Sequence, residues 1–312
     1  MPVVASDTRE GSRSRQTVDP LGGFFIGLAS LQFGAVVVLG KIVTENGLPV
    51  PSFLAFRFAT GALMLAAALA VLRQPLMSAP GERAGLAVLG MVGYAVEAGL
   101  FFAAIHFGTA AAGTLLFFTY PVWVALLSVA MGRGLPGVLV IGALVATVAG
   151  AALVVVSGGG LDITTAGILF ALGSALTFAG YLAGADVVVR RTNSLTGAMW
   201  ISAFSALGLS AYSVVTGAGQ WPVGWRQWGP VLGTAAFTSG AFVCLFAGLR
   251  RLGAVRTSIV AASEPLAATA LAVIFLGERL RVGIVLGGML ILAGAVTASL
   301  ARRSQPAEPP VP

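Results

Sequence analysis

Charged residues are scarce in this chain. Asp, Glu, Lys and Arg make up only 9% of its 312 residues, against about a quarter in soluble domains. A water-soluble globule of this size could not cover its surface with so few charges. The composition therefore excludes a cytosolic enzyme, a nucleic-acid-binding protein and a disordered scaffold, and it predicts an integral membrane protein.

Metal-binding and redox side chains are also nearly missing. The chain has one cysteine, Cys244, and one histidine, His106. One thiol cannot form an intrachain disulfide, and HExxH-type or CxxC-type metal sites need more ligands than these. No Gly-x4-Gly-Lys-Ser/Thr sequence for binding ATP phosphates occurs. We therefore expect no metal, no cofactor and no enzymatic activity.

Long apolar runs dominate what is present. A helix needs about 20 apolar residues to cross hydrocarbon, and the continuous runs here lack the alternation of barrel strands. We therefore predict an all-α polytopic membrane protein. Its ten predicted spans are 21–42, 52–72, 85–105, 108–131, 135–156, 167–189, 195–216, 229–249, 254–276 and 281–300. The polar segments 1–20 and 301–312 are expected to be disordered.

The basic residues give the predicted orientation. They are scattered between the apolar runs, which favours membrane topology signals over a nucleic-acid patch. With the N-terminus in the cytoplasm, thirteen of the eighteen Lys and Arg residues lie inside. Four (Lys41, Arg226, Arg279, Arg281) lie outside, and Arg57 lies within span two. This bias predicts a multi-pass protein of the cytoplasmic (inner) membrane with both termini cytoplasmic.

The two halves of the chain show an internal repeat. An offset of 144 residues places Gly23 on Gly167, Ser30 on Ser174 and Pro121 on Pro265. Five predicted spans, in 21–156, precede the offset and five, in 167–300, follow it. Because five is odd, the second half must enter the membrane in the opposite sense, which predicts an inverted repeat. Such repeats provide the two conformations that alternating access requires.

Two stretches carry a family resemblance. The first runs from Leu252-Gly253-Ala254-Val255 through Glu264-Pro265-Leu266 to Leu276-Gly277-Glu278-Arg279, and its first-half counterpart runs from Ala103 through Tyr120-Pro121-Val122. Both resemble the EamA-like exporters of the drug/metabolite transporter superfamily, over roughly residues 21–300. The counterpart ends in Met131-Gly132-Arg133, without the glutamate of the pattern. The resemblance implies ten helices in two halves and an exporter of small molecules.

Ionisable residues inside predicted spans are candidate functional residues, because a charge at membrane depth is costly. Arg57 and Glu97 lie roughly 9 and 12 Å below the same predicted surface, at about 1.5 Å per residue. We predict that they pair inside the bundle, either as part of the transport pathway or as a purely structural ion pair.

Glu264 precedes Pro265 in the middle of span nine, and its repeat mate Tyr120 precedes Pro121. Proline removes a backbone donor and usually kinks a helix. We predict two kinks that bring Glu264 and Tyr120 to a central cavity. Prolines that only shape the helices, with Glu264 bound to a neighbour, are the alternative interpretation.

Three further side chains complete the predicted cavity wall. Tyr94 shares a helical face with Glu97, Trp123 is three residues beyond Tyr120, and Gln32 lies in the middle of span one. Aromatic walls with a few polar groups are typical of small-molecule sites. Packing between helices is the alternative for each residue.

The sequence favours a secondary transporter that exports small metabolites, such as amino acids, or drug-like compounds. Its partners are the lipid bilayer and a small-molecule substrate, with coupling to an ion or to the substrate's own gradient. If the ion is a proton, Glu264 or Glu97 would carry it. The alternative within the same fold is a flippase for lipid-linked substrates. Isolated carboxylates disfavour an intramembrane enzyme, and unlike repeat mates disfavour a channel.

Overall fold

The fold is helical throughout the part of the chain that can be described. In the computed structural model this part comprises residues 20–132, 137–157, 163–261 and 263–301. The helices are α1 Pro20–Glu45, α2 Val50–Val71, α3 Arg83–Val88, a π-helical segment Leu89–Tyr94, α4 Ala95–His106, α5 Ala110–Phe117, α6 Tyr120–Ala130, α7 Val138–Ser157, α8 Thr165–Val188, α9 Ser194–Val215, α10 Gly224–Ala261, α11 Glu264–Leu276 and α12 Val282–Ala301.

Apolar helices occur in every predicted span. Within the part of the chain that the structure describes, seven helical stretches are long and apolar enough to cross a membrane, and they lie in predicted spans one to four and six to eight. Three shorter apolar helices, Val138–Val154, Glu264–Leu276 and Val282–Gly294, lie in predicted spans five, nine and ten. The all-helical class is confirmed, whereas the count of ten crossings stays a prediction. Residues 1–19 and 302–312, with the predicted disordered ends, lie outside the described residues.

At each of the two prolines a new helix begins. Helix α5 ends at Phe117 and α6 begins at Tyr120, so Pro121 occupies the second position of a new helix. Pro265 likewise occupies the second position of α11. Proline is tolerated in a first helical turn because its missing N–H would have no partner there. A two-residue turn at 118–119 therefore separates two helices within span four, and the kinks at Pro121 and Pro265 stay predictions.

The predicted boundary between spans eight and nine is wrong. Helix α10 runs from Gly224 to Ala261, through the predicted connection at 250–253. The sequence there is Arg250-Arg251-Leu252-Gly253, which contains no proline to force a helix end. The next helix begins instead at Glu264.

Span three contains the π-helical segment Leu89–Tyr94. Helix α9 packs closely against this segment. A Cβ on Gly90 would lie only 2.7 Å from the carbonyl oxygen of Ile201, so a larger residue would not fit there. The Ser205 hydroxyl donates a 2.9 Å hydrogen bond to the Gly90 carbonyl. A π segment leaves such a carbonyl available to a side chain of the neighbouring helix.

Among the described residues, three pairs of corresponding spans, two with seven, four with nine and five with ten, pack against each other. Helix α2 packs on α9, α5 on α11, and α7 on α12. Each pair is antiparallel, since the start of one helix lies at the end of the other. Ser52, near the start of α2, bonds to the Ala218 carbonyl beyond the end of α9. Thr196, near the start of α9, bonds to the Pro75 carbonyl beyond the end of α2.

Glycines bring α7 and α12 into backbone contact. A Cβ on Gly150 would lie 2.5 Å from the Gly287 carbonyl oxygen, and a Cβ on Gly287 would lie 2.5 Å from that of Gly150. A Cβ on Gly294 would lie 2.5 Å from the Ala143 carbonyl oxygen. Small residues allow such an approach between helices in lipid.

Two carboxylates form hydrogen bonds between the two halves, one at each end of the helical stretch Arg83–His106, which comprises α3, the π-helical segment and α4. At the end that follows His106, the Glu278 carboxylate accepts hydrogen bonds from the backbone N–H groups of Ala110 (2.6 Å) and Ala111 (3.1 Å). Directly before the first residue of the stretch, Glu82 accepts hydrogen bonds from the backbone N–H groups of residues 190, 191 and 192 and from the Thr192 hydroxyl. The hydroxyl and these N–H groups lower the pKa of Glu82 to about 2.

Candidate functional site

A cavity of about 490 Å³ lies inside the bundle, with walls from both halves of the chain. The cavity lies near the middle of the long helices, since its lining residues Tyr94 and Phe178 lie about midway along Arg83–His106 and α8. Half of its lining residues are aromatic. The aromatic lining residues are Phe33, Tyr94, Phe101, Phe102, Phe117, Phe118, Tyr120, Phe178, Tyr181 and Phe242.

Eight of these ten rings form one connected set, and Phe33 pairs separately with Phe242. Tyr94 contacts Tyr181 at 5.4 Å between ring centroids, and Tyr181 stacks on Phe178 at 5.9 Å. Phe178 in turn meets Phe117 at 5.2 Å and Tyr120 at 5.0 Å. Rings at these separations hold one another in place, so the wall is a preformed apolar surface of the kind that binds small molecules.

Arg57 reaches this cavity from α2 and is 5% exposed. Its Nη2 donates a 3.0 Å hydrogen bond to the hydroxyl of Thr238 on α10. Its Cζ lies 5.0 Å from the ring centroid of Phe58 and 5.4 Å from that of Phe102. These two faces stabilise the cation by cation–π interaction.

The predicted direct pair between Arg57 and Glu97 is wrong. Both side chains line the cavity. The ion pairs among the described residues, with nitrogen and oxygen atoms within 4.0 Å, do not include a pair between Arg57 and Glu97. The Glu97 carboxylate instead accepts a 3.3 Å hydrogen bond from the hydroxyl of Ser174 on α8. The same hydroxyl also contacts the Glu97 carbonyl, at 3.1 Å. The two residues lie at similar depth and line the same cavity, but Arg57 bonds to Thr238 and Glu97 bonds to Ser174 instead of to each other.

Glu264 and Tyr120 occupy equivalent places in the two halves. Each is the first residue of a helix that carries proline at its second position, and each lines the cavity. The N-terminal end of a helix has unpaired N–H groups and a positive dipole, which favour negative charge nearby. Within the described part of the chain the Glu264 carboxylate has no hydrogen bond or ion pair, so it is available to a ligand or a proton. Pro121 also lines the cavity, whereas Pro265 is buried beside it.

Two predicted wall residues lie elsewhere. Gln32 faces α10, where its amide contacts the Leu28 carbonyl at 3.3 Å and the Cys244 sulfur at 3.6 Å. It fits there because Gly240 has no side chain, and a Cβ at Gly240 would collide with the Gln32 amide oxygen. Trp123 lies one turn further along α6 than Tyr120 and is absent from the wall. The mid-span position of Gln32 and the helical spacing of Trp123 did not by themselves identify the face that lines the cavity.

Several wall residues were not predicted from the sequence. Phe178 and Tyr181 lie three residues apart on α8, and Phe33 and Phe242 come from α1 and α10. An aromatic pair at helical spacing in span six was the available signal, but this spacing is equally common in packing faces. Among the described residues, no group of three His, Cys, Asp or Glu side chains could hold a metal ion.

Comparison with known proteins finds a matching family model and solved structures of similar fold. The model of the EamA-like transporter family matches residues 20–156 and 165–300. No curated protein sequence is similar enough to count as a relative. A solved structure described as "Crystal structure of protein" matches with a TM-score of 0.65 and 21% identity, over 90% of this chain and 98% of the other. At that identity the similarity concerns the fold.

Proposed function

Because this chain belongs to the EamA-like transporter family, we propose that it is a secondary transporter of the cytoplasmic membrane. It exports small metabolites, such as amino acids, or drug-like compounds by alternating access. The observation that carries the proposal is the cavity of about 490 Å³ between the halves, at which the two proline-bearing helices begin.

The packing of the two halves supports an inverted repeat. The antiparallel pairs α2 with α9, α5 with α11, and α7 with α12 are formed by spans that the 144-residue offset equates. An inverted repeat requires such spans to run in opposite directions.

The glycine contacts of α7 and α12 support the same register. Gly150 contacts Gly287 and Ile291, and the offset converts these three residues into Gly294, Ala143 and Thr147. Gly294 does contact Ala143 and Thr147. The exchange of the halves therefore maps one contact onto the other, as a pseudo-two-fold axis between them requires.

Glu264 and Glu97 are the residues that we propose for coupling. Both carboxyl groups line the cavity, and neither has a cationic partner among the described residues within 4.0 Å. A carboxyl group in this situation can exchange a proton when the cavity faces one side of the membrane and then the other. Both termini are cytoplasmic in this proposal, as the distribution of Lys and Arg predicts.

Solute counterflow in proteoliposomes tests this function. The full chain is reconstituted, loaded with candidate amino acids or drug-like cations, and assayed for uptake of the labelled solute with and without a pH gradient. We expect counterflow by the wild type, and loss of the pH-gradient effect in Glu264→Gln or Glu97→Gln. Glu45→Gln is the matched control, because Glu45 is an exposed carboxylate at the end of α1.

The outcomes separate the candidate functions. Counterflow that is unchanged in both cavity variants would remove Glu264 and Glu97 from the mechanism. Translocation of a labelled lipid without counterflow of any soluble compound would favour the flippase alternative. No movement of either class, by protein that keeps its helical content, would contradict a transport function.

A further inference from the structure

The positive charge of Arg57 is buried without an acidic partner in contact. Among the described residues its guanidinium makes one hydrogen bond, from Nη2 to Thr238, and its buried Nε has no partner. A guanidinium carries five N–H donors in a planar fork, so most of its capacity is unused. Buried charges are normally paired, because removal from water is costly.

The unused donors lie at the wall of a cavity whose lining is mainly aromatic and aliphatic, with the carboxyl groups of Glu97 and Glu264 as its acidic members. Phe58 and Phe102 cover the guanidinium from two directions, and the Thr238 hydroxyl holds Nη2 in place. The side chain is thus fixed before any ligand arrives. The planar fork of arginine matches a carboxylate in a bidentate arrangement, which adds geometric specificity to charge.

The rest of the cavity supplies complementary features. Rings of Phe101, Phe117 and Phe178 offer a surface for an apolar body. The hydroxyl of Thr114, which also lines the cavity, is buried without a hydrogen-bond partner. The unsatisfied donors of Arg57 and Thr114 in one largely aromatic cavity point to a ligand with a polar head and an apolar body.

We propose that Arg57 is the docking point for the carboxylate of the transported molecule, whose apolar part lies on the aromatic wall. Thr238 is the positioning residue that aims the guanidinium. This inference rests on the proposed function, in which the same cavity holds the substrate. It narrows the substrate class to carboxylates with an apolar or aromatic body.

Three probes with the same phenyl body test the assignment. Phenylalanine carries a carboxylate and an ammonium group, 3-phenylpropionate only the carboxylate, and phenethylamine only the ammonium group. Binding of each to the full chain in lipid nanodiscs is measured by isothermal titration. Arg57→Gln should weaken binding of both carboxylates by at least about tenfold, the loss expected for one charge-assisted contact. Phenethylamine binding should not weaken.

Further variants distinguish the effect of the guanidinium's orientation from the effect of its positive charge. Arg57→Lys keeps the cation without the fork and should weaken the carboxylates less than Arg57→Gln does. Thr238→Val keeps Arg57 and removes its hydrogen bond, and it should weaken the same two probes selectively. These two variants carry the test if Arg57→Gln fails to fold. Arg226→Gln, at an exposed position away from the cavity wall, is the control and should bind all three probes like the wild type.

The result that overturns the inference is an equal loss for acid and amine probes, or no loss for either. Counterflow of 3-phenylpropionate at the wild-type rate in Arg57→Gln would also overturn it, while leaving the transport function intact. Conversely, selective carboxylate binding without any counterflow would support the docking point and contradict the transport function.

Discussion

The contact between Glu278 and the start of α5 leads to a quantitative prediction. Its carboxylate accepts hydrogen bonds from the N–H groups of Ala110 and Ala111, at 2.6 and 3.1 Å. Hydrogen bonds to charged groups contribute about 1.5–3 kcal/mol each. Because Glu278 is half-buried, the lower end of this range applies to it. We therefore expect Glu278→Ala to reduce the free energy of unfolding by about 3 kcal/mol, which is roughly a hundredfold in the equilibrium constant.

The glutamine variant refines the magnitude. Glu278→Gln retains one amide oxygen as an acceptor and loses the negative charge near the first turn of α5. We expect it to cost about half as much as Glu278→Ala, because one backbone N–H keeps an acceptor. A larger cost for glutamine than for alanine would mean that the amide group clashes, and that acceptor loss is not the cause.

The assay uses the only cysteine of the chain, Cys244. Purified full chain is titrated with SDS in mixed micelles, and unfolding is followed by helical circular dichroism and by reaction of Cys244 with a maleimide dye. Glu45→Ala is the matched control. Its carboxylate is 56% exposed and lies 3.6 Å from Lys41, so we expect a cost of about 0.5 kcal/mol or less. Equal costs for the two alanine variants would refute the reasoning.

Three further predictions concern stability and the cavity wall. Since the pKa of Glu82 is about 2 instead of 4.5, its hydrogen bonds stabilise the fold above pH 4.5, and this stabilisation is lost as the pH falls from 4.5 through 2. Melting temperatures measured across that range should fall less in Glu82→Gln than in the wild type, and parallel curves would contradict this. Gly287→Ala should cost about 1–3 kcal/mol by the same SDS titration, because its Cβ would meet the Gly150 carbonyl oxygen at 2.5 Å. Gly142→Ala, which meets nothing within 4 Å, should cost nothing, and equal effects would exclude the backbone contact as the cause. Trp123→Leu should leave the affinity for cavity ligands unchanged in isothermal titration because Trp123 is not part of the wall, and a loss of affinity would place it there.

Much of the candidate site followed from two signals in the sequence. Isolated charges inside apolar runs identified Arg57 and Glu97, and the 144-residue offset identified Glu264 with Tyr120; all four line the cavity. Their roles in binding and coupling stay predictions. Three site predictions are wrong: Gln32 and Trp123 as wall residues, and the Arg57–Glu97 contact. Depth within a span and helical spacing give the height and the face of a residue, but the partner of that face depends on which other helix packs there.

The sequence by itself determined the helical class, the positions of the apolar segments and the family, which the matches to residues 20–156 and 165–300 confirm. Run length, charge content and internal similarity are properties of the linear chain, so folding cannot change them. The tertiary structure alone decided that Phe178 and Tyr181 complete the aromatic wall and that Arg57 bonds to Thr238 instead of an acid. These facts depend on contacts between residues more than 50 positions apart in the chain, which no local pattern encodes.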